Sequence, residues 1–400
     1  MSVDQLQYFA PLVGKEFRKI FDMCRDEYHM KVKYTQDLYL IKYMRDFGAD
    51  VNNDFVRHCR GVIFEKDSNP PKPVCYPLSG GVNYQLFKKF IPFERVRVEE
   101  SVDGTMINVF YYKDEWRVAT KGCIDAKRSR WGSSKSFYTM FNEACNFDLQ
   151  SLNKTYCYSF VLAHNDNRIV TKYNEPTLYL VHVRDMTTML SRPRDEEYTV
   201  KFTRPKTLKF ESFEELDQAL VELSYDKEGF MLFDSENTDV RVKCKGDAYV
   251  KVKNMKGNDR NKRYGLLKKL LQNTETDYLR RFAEDFDTVS ELEKELKGLI
   301  TSVLYYYKNV RVNKIQMEIP KHLAPIIYTL HGIYLEKVRH VKNSRYKTSF
   351  GVVKRHVYSL DTALVYYLLT QEKQVHKKTV ETLTHTDNQD NQDNQDNQDE

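Results

Sequence analysis

The sequence VRVEESVDGTMINVFYY, which occupies residues 96–112, joins two runs of β-branched and aromatic residues across an Asp-Gly turn. Runs of this kind that are bounded by turn residues are typical of strands, and several of them alternate in polarity as half-buried antiparallel strands do. The strand-like runs are Val96–Val98, Met106–Tyr112, Trp116–Ala119, Tyr156–Leu162, Leu178–Val183, Phe230–Phe233 and Val240–Val242. The first part of the chain is therefore predicted to contain antiparallel sheets.

Helical periodicity is weak before residue 255 and strong after it. Lys135–Ala144 and Phe213–Leu223 are predicted helices between the strands. Further along, apolar residues recur every three or four positions from Val289 to Val303, with a capping box at Thr288 or Ser290 as the predicted start. The other predicted helices are Leu266–Leu271, His322–Val338 and Leu360–Gln371.

These patterns predict an α+β chain with a boundary near residue 255. Residues 1–255 form the predicted strand-rich domain, and residues 256–380 form a helical domain. Residues 381–400 contain four D-N-Q repeats and no apolar side chain after Leu383, so this acidic tail is predicted to be disordered.

Composition excludes several classes of protein. The mean hydropathy is −0.65 and there is no long apolar run, so no membrane span is expected, and the first residues lack the pattern of a signal peptide. Seven scattered cysteines without a C-x-x-C pair favour a reducing, cytoplasmic setting over a disulfide framework. The chain also has no P-loop, H-E-x-x-H or G-x-S-x-G motif.

The charge is distributed unevenly along the chain. The net charge is +6, and the last sixteen residues hold six acids and no Lys or Arg, so the remainder carries +12. Basic runs occur at Lys121–Trp131 and Lys337–Lys354. A basic body suits a polyanion such as RNA, although a lysine-rich solvated surface is the simpler interpretation of charge alone.

Five short segments contain the candidate site residues. In the last of them, Lys243 and Lys245 flank Cys244 in a predicted strand. Side chains two residues apart leave the same face of a strand, so both ammonium groups can reach one anionic ligand. The segments are Arg60–Glu65, Glu100–Thr105, Asn167–Val170 with Arg184–Thr188, Glu228–Met231 and Val242–Tyr249.

In this order the segments resemble those of the phage T4 RNA ligase 1 family, within the covalent nucleotidyltransferase superfamily. The resemblance covers roughly residues 40–255. It implies two antiparallel sheets that line an ATP groove, and an ATP- and Mg²⁺-dependent reaction in three steps. A lysine takes AMP from ATP, AMP passes to an RNA 5′-phosphate, and an RNA 3′-hydroxyl displaces AMP. Each step is a displacement at phosphorus, so catalysis depends on positioning and charge neutralisation.

The resemblance also assigns roles to individual residues. Asp103 and Gly104 occupy the Asp and Gly of the K-x-D-G nucleophile motif, and Lys243 and Lys245 are catalytic lysines that contact phosphate. Glu228 is implied as a nucleotide contact and the Mg²⁺ ligand. The remaining implied nucleotide or phosphate contacts are Arg60, Lys88, Lys89 and Arg184, and Lys121-Gly122 matches a K-G pair of the family.

Two positions depart from the family pattern. Ser101 stands where the nucleophilic lysine belongs, and a serine hydroxyl without an adjacent base is a poor nucleophile at neutral pH. Val161 stands where the family has a glutamate, six residues before Asn167. The sequence therefore predicts an RNA ligase-like protein, impaired in self-adenylylation, that joins RNA ends through AMP intermediates. The alternative is a catalytically inactive module that binds RNA or nucleotide.

Overall fold

A computed structural model describes residues 3–192, 202–339 and 346–374. The chain divides into two compact units, Met1–Gly257 and Asn258–Glu400. The predicted α+β class is confirmed, because the first unit combines antiparallel strands with helices and the described part of the second unit is helical. None of the described helices is long and apolar enough to cross a membrane. The tail at 381–400 and residues 340–345 of the basic run Lys337–Lys354 lie outside the described residues.

The strands of the first unit form three four-stranded antiparallel sheets. The first sheet has the order β1-β2-β3-β4, the second β10-β5-β11-β12 and the third β7-β6-β8-β9. The strands are β1 (Met30–Tyr34), β2 (Leu38–Tyr43), β3 (Arg60–Glu65), β4 (Pro73–Cys75), β5 (Val96–Glu100), β6 (Thr105–Tyr112), β7 (Glu115–Thr120), β8 (Tyr156–Ala163), β9 (Thr177–Asp185), β10 (Thr207–Leu208), β11 (Gly229–Asp234) and β12 (Arg241–Lys245).

The first unit thus contains one antiparallel sheet more than the two that were expected to line an ATP groove. The additional sheet is the first one, built from residues 30–75. One face of it packs against helix α1 (Phe17–Asp26) through residues such as Ile41 and Val62. The other face packs against the third sheet through residues such as Leu40 and Ile63. Because both faces are covered, this sheet forms part of the central core.

The second sheet has one apolar and one charged face at β12. Val242 and Cys244 point into an apolar core with residues of α3 (Tyr84–Phe90) and α5 (Phe213–Glu222). Lys243 and Lys245 leave the opposite face, in agreement with the period-two pattern in the sequence.

A bulge at Gly61 interrupts the pairing of β2 with β3. Ile41 lies opposite Val62, but the next residue, Lys42, lies opposite Arg60, so Gly61 is the extra residue. Gly61 has φ +89°, and a Cβ there would lie 2.8 Å from the carbonyl oxygen of Lys121. The bulge reverses the alternation and brings Arg60 to the face of Lys42, because directly paired residues share a face.

The second unit is helical in its described part. Its longest helix buries Val289, Leu292, Leu296, Leu299 and Val303 as the periodicity predicts. The predicted capping box was wrong, because this helix begins at Phe286 with Asp285 as its N-cap.

The remaining helices of the first unit are α2 (Asp54–His58), α4 (Phe137–Ala144) and α6 (Asp247–Lys256). The helices of the second are α7 (Lys262–Leu271), α8 (Glu275–Leu279), α9 (Phe286–Tyr307), α10 (Ala324–Arg339), α11 (Phe350–Ser359) and α12 (362–374).

Candidate nucleotide-binding site

The carboxylate of Glu228 accepts two hydrogen bonds and forms a further ion pair at the end of the second sheet. Ser101 Oγ donates to Oε2 at 2.8 Å, Lys243 Nζ lies 2.7 Å from the same oxygen, and Lys245 Nζ lies 3.0 Å from Oε1. Burial alone would raise the pKa of Glu228, but the charges of both lysines and the hydrogen bonds of Lys243 and Ser101 outweigh burial and lower it to about 2. The carboxylate is therefore ionised and orients both lysines.

The backbone brings Ser101 and Glu228 together. Ser101 follows β5, and its N–H donates to the carbonyl of Gly229 at 2.8 Å, which extends the pairing of β5 with β11 by one bond. Gly229 has φ +138°, and a Cβ there would lie 2.0 Å from the carbonyl oxygen of Cys244. Only glycine fits between β11 and β12 at this position, which explains the Glu-Gly pair in the sequence.

Asp103 is buried and fully bonded beside this cluster. Its Oδ2 accepts from the N–H groups of Val170 and Thr171 at 2.8 Å each, and its Oδ1 accepts from the Tyr249 hydroxyl at 2.7 Å. These bonds tie the turn before β6 to the loop after β8 and to α6. In this structure Asp103 is thus a positioning residue. Tyr249, which closes the last sequence segment, was given no role from the sequence although it makes one of these bonds.

Gly104 allows the close approach of β6 to β8. A Cβ on Gly104 would lie 2.4 Å from the carbonyl oxygen of Leu162 and 2.8 Å from Cγ1 of Val161. Leu162 belongs to the core of the third sheet, so Val161 leaves the opposite face. Gly104 lies on that face of the sheet. Val161, which stands where the family has a glutamate, is therefore next to the nucleophile motif.

Basic side chains meet near Glu228 with little acidic compensation. The charge of Arg60, burial, and the charges of Lys42, Lys243 and Arg45 together lower the pKa of Lys121 to about 7. Within the described ranges, Lys121 forms no ion pair with a carboxylate. A cluster of cations that depress one another's ionisation is suited to a bound polyphosphate. The sequence indicated Arg60, Lys121 and Lys243, but it did not indicate Lys42.

Arg184 does not contact this cluster as the sequence suggested. Its side chain is 1% exposed, its Nη2 lies 2.6 Å from an oxygen of Asp239, and its guanidinium stacks 4.0 Å from the ring centroid of Tyr76. Nη1 also donates to the carbonyl of Met189 at 2.7 Å. These contacts make Arg184 part of the buried core rather than an accessible phosphate ligand.

Lys88 lies on the other side of the second sheet. Its ammonium pairs with Asp217 of α5 at 2.9 Å and lies over the rings of Tyr84 and Phe213. Lys89 is exposed at the end of α3 and lies over the ring of Phe90. Because α3 and α5 pack on the Cys244 face of β12, the structure does not bring Lys88 to the Lys243 face.

Glu228 does not fit the predicted role of Mg²⁺ ligand in this arrangement. Both of its oxygens already accept from lysine ammonium groups, which would repel a cation. A second group with the right atom types, Glu143, His164 and Asp166, holds the ammonium of Lys135 at 2.9 Å and 2.8 Å from its two carboxylates. No catalytic step is therefore assigned to a protein-bound metal.

Comparison with known proteins identifies relatives over part of the chain. An RNA ligase of Rhodothermus phage RM378 is 29% identical over 189 residues, which covers 38% of this chain and 42% of the phage protein. The immediate-early protein ICP-46 homolog of Invertebrate iridescent virus 6 is 26% identical over 287 residues, 64% of this chain and 61% of that protein. The chain thus spans about two-fifths of the length of the phage relative. No protein-family model matches.

Solved structures give a more distant match. An archaeal ATP-dependent RNA ligase has a TM-score of 0.42 at 11% identity, covering 73% of this chain and 82% of that one. The assignment rests on the sequence relatives. The chain is a relative of the nucleotidyltransferases. Among these, the chain is a relative of the RNA ligases.

Proposed function

We propose that the protein is an RNA ligase-like enzyme that has lost self-adenylylation and retains the sealing of 5′-adenylylated RNA. The observation that carries the proposal is the cluster around Glu228. It keeps two oriented lysines, and it presents a hydroxyl at Ser101 where the nucleophilic amine belongs. The substrates of the retained step are an RNA 3′-hydroxyl end and an RNA 5′-phosphate that already carries AMP. ATP, bound with Mg²⁺ through its phosphates, is the source of that AMP in the step that this chain has lost.

The sealing step does not need the missing amine. The RNA 3′-hydroxyl attacks the 5′-phosphorus of the adenylylated end, a P–O bond forms, the bond to AMP breaks, and the hydroxyl proton passes to solvent. Negative charge builds on the phosphoryl oxygens and on the leaving phosphate of AMP. Lys243 and Lys245, which Glu228 holds in place, and Lys121 are positioned to neutralise it.

Adenylylation of the protein itself is expected to fail. Ser101 is 6% exposed, and its hydroxyl donates to a carboxylate whose pKa is lowered to about 2. A carboxylate this acidic is a very weak base and cannot activate the hydroxyl. The hydrogen bond from the Ser101 hydroxyl to Glu228 also supports the second candidate, a module that binds RNA or nucleotide without catalysis.

The deciding assay uses a 5′-adenylylated single-stranded RNA with a free 3′-hydroxyl. AMP release together with circular or joined product is expected, with loss of product in Lys243→Ala and Lys245→Ala. Lys19→Ala is the matched control, because Lys19 is an exposed lysine of α1. Bound RNA without any product at high protein concentration would favour the binding module instead.

The setting of this activity is also a proposal. All seven cysteines are free, and the sulfur atoms of Cys75 and Cys157 lie 3.5 Å apart without a bond. Free thiols at this distance are consistent with a reducing compartment such as the cytoplasm. The named relatives come from a phage and a virus, so we propose a viral origin and a role in RNA repair or processing.

A further inference from the structure

A row of basic side chains crosses the first sheet from β3 to its edge. Arg60 lies opposite Lys42, and Lys42 lies opposite Lys31 of the edge strand β1. Lys33 is two residues further along β1 and therefore leaves the same face. Burial and the charges of Lys33 and Lys31 lower the pKa of Lys42, which places both lysines close to it.

The row begins at the candidate site and ends in solvent. Arg60 and Lys42 adjoin Lys121, whose neighbours include Lys243. Neighbouring strands are about 4.8 Å apart, so the three strands carry the row over roughly 10 Å. Lys31 and Lys33 are exposed, Lys42 and Arg60 are half-buried. The charges are thus arranged from a partly enclosed end to an open end.

The row has little acidic compensation. Within residues 3–192 and the other described ranges, Lys31, Lys33 and Lys42 form no ion pair, and Asp46 is the acid that acts on Lys42. The row lies at the margin of the face whose Leu40 and Ile63 pack against the third sheet, and α1 covers the opposite face. Cations left unpaired along one face, and continued into a phosphate-binding cluster, complement a chain of phosphates.

An exposed aromatic side chain lies in the turn that follows β2, the strand of Lys42. Phe47 is 69% exposed, in the turn Arg45–Phe47 that follows β2. Because β2 ends at Tyr43, one residue after Lys42, this turn lies at the Lys42 end of the strand. Basic grooves that bind single strands combine phosphate contacts with aromatic rings on which bases stack.

We propose that this row, Arg60, Lys42, Lys31 and Lys33 with Phe47 at its side, is a track for the backbone of single-stranded RNA. The strand enters at the β1 edge and reaches the Glu228 cluster with its end. This inference rests on the proposed function, because it names the surface that delivers RNA to that site. It differs from the basic runs at 121–131 and 337–354, which the sequence had suggested as RNA contacts.

The test measures binding rather than sealing. A 5′-phosphorylated oligouridylate of about twelve nucleotides, within the range of single-strand site sizes, is titrated at several salt concentrations. Each phosphate contact contributes about −0.7 to the log–log slope, so Lys31→Ala/Lys33→Ala is expected to reduce the slope by about 1.4. The control Lys15→Ala/Lys19→Ala removes two exposed lysines beside the opposite face and should leave the slope unchanged.

Phe47→Ala separates stacking from charge. This variant is expected to weaken oligouridylate binding by about fivefold or more, and to leave binding of an abasic strand of equal length unchanged. If the unmodified chain binds RNA but the Lys31/Lys33 variant keeps its slope, the track is wrong and the proposed function stands. If the unmodified chain binds no RNA, the RNA track and the proposed function are both wrong. Equal affinity for an acidic peptide such as polyglutamate would also overturn an RNA track.

Discussion

Replacing Glu228 by glutamine tests whether one carboxylate organises the lysine cluster. The change keeps the size of the side chain and removes its charge, which leaves Lys243 and Lys245 without their partner at 38% and 31% side-chain exposure. The fall of the Glu228 pKa from 4.5 to about 2 corresponds to about 3 kcal/mol in favour of the ionised form. Glu228→Gln is therefore expected to lower the free energy of unfolding at pH 7 by about 3 kcal/mol.

The pH dependence follows from the same shift. The folded chain holds the pKa of Glu228 below its ordinary value, so the stabilisation is complete above pH 4.5 and is lost as the pH falls toward 2. At pH 3.5 the original chain has lost about 1 kcal/mol from this group, whereas the glutamine variant has no such group to protonate. The difference in the free energy of unfolding between the original chain and Glu228→Gln is therefore expected to narrow by about 1 kcal/mol between pH 7 and pH 3.5.

Tryptophan fluorescence during urea denaturation is a suitable assay, because both tryptophans, Trp116 and Trp131, belong to the unit that contains Glu228. Glu236→Gln is the matched control, since Glu236 is 66% exposed in its ion pair with Arg95, and a change below about 0.5 kcal/mol is expected. A Glu228→Gln variant as stable as the original chain at pH 7, or a difference that does not change at pH 3.5, would refute the reasoning.

Three further changes test the site. Ser101→Lys, alone or with Val161→Glu, is expected to form a covalent adenylate with labelled ATP and a divalent cation. The unmodified chain is expected to form none, and an adduct on it would contradict the loss of self-adenylylation. Because the pKa of Lys121 is lowered to about 7, a bound polyphosphate should keep it protonated, so triphosphate affinity should fall by up to about tenfold between pH 7 and 8.5. In Lys121→Gln the triphosphate affinity should fall less over the same pH range. An equal fall in both chains would exclude Lys121 as the titrating group. Gly61→Ala is expected to cost about 1–3 kcal/mol in urea denaturation, because φ is +89° and the new methyl would meet the Lys121 carbonyl.

The parts of the site that follow strand periodicity could be predicted from the sequence. The alternation around Cys244 places Lys243 and Lys245 on one face, and both contact Glu228 in the structure. The same reasoning could have found the first sheet, because MKVKY at residues 30–34 alternates between apolar and basic residues. Residues 30–34 were not among the predicted strands, so the basic row was not predicted either.

The placement of other predicted site residues depends on partners that are distant in sequence. Arg184 is held by Asp239, 55 residues later, and no local pattern distinguishes a core arginine from a phosphate ligand. Lys88 follows the buried Phe87 in a short helix, and its partner Asp217 lies 129 residues away. Residue type and order indicated that charge was present, whereas tertiary packing determined which sheet face it occupies.

The extra residue at Gly61 has a consequence for comparing this chain with its relatives. If Gly61 were paired regularly instead of forming a bulge, Arg60 would turn toward the face that packs on α1, where a guanidinium would be buried among apolar side chains. A relative that lacks the glycine altogether would have its arginine directly before the position of Val62, and therefore on the same face as Arg60 here. A relative with a regularly paired residue at position 61 would present its arginine on the opposite face, so an aligned arginine does not by itself show on which side of the sheet the charge lies.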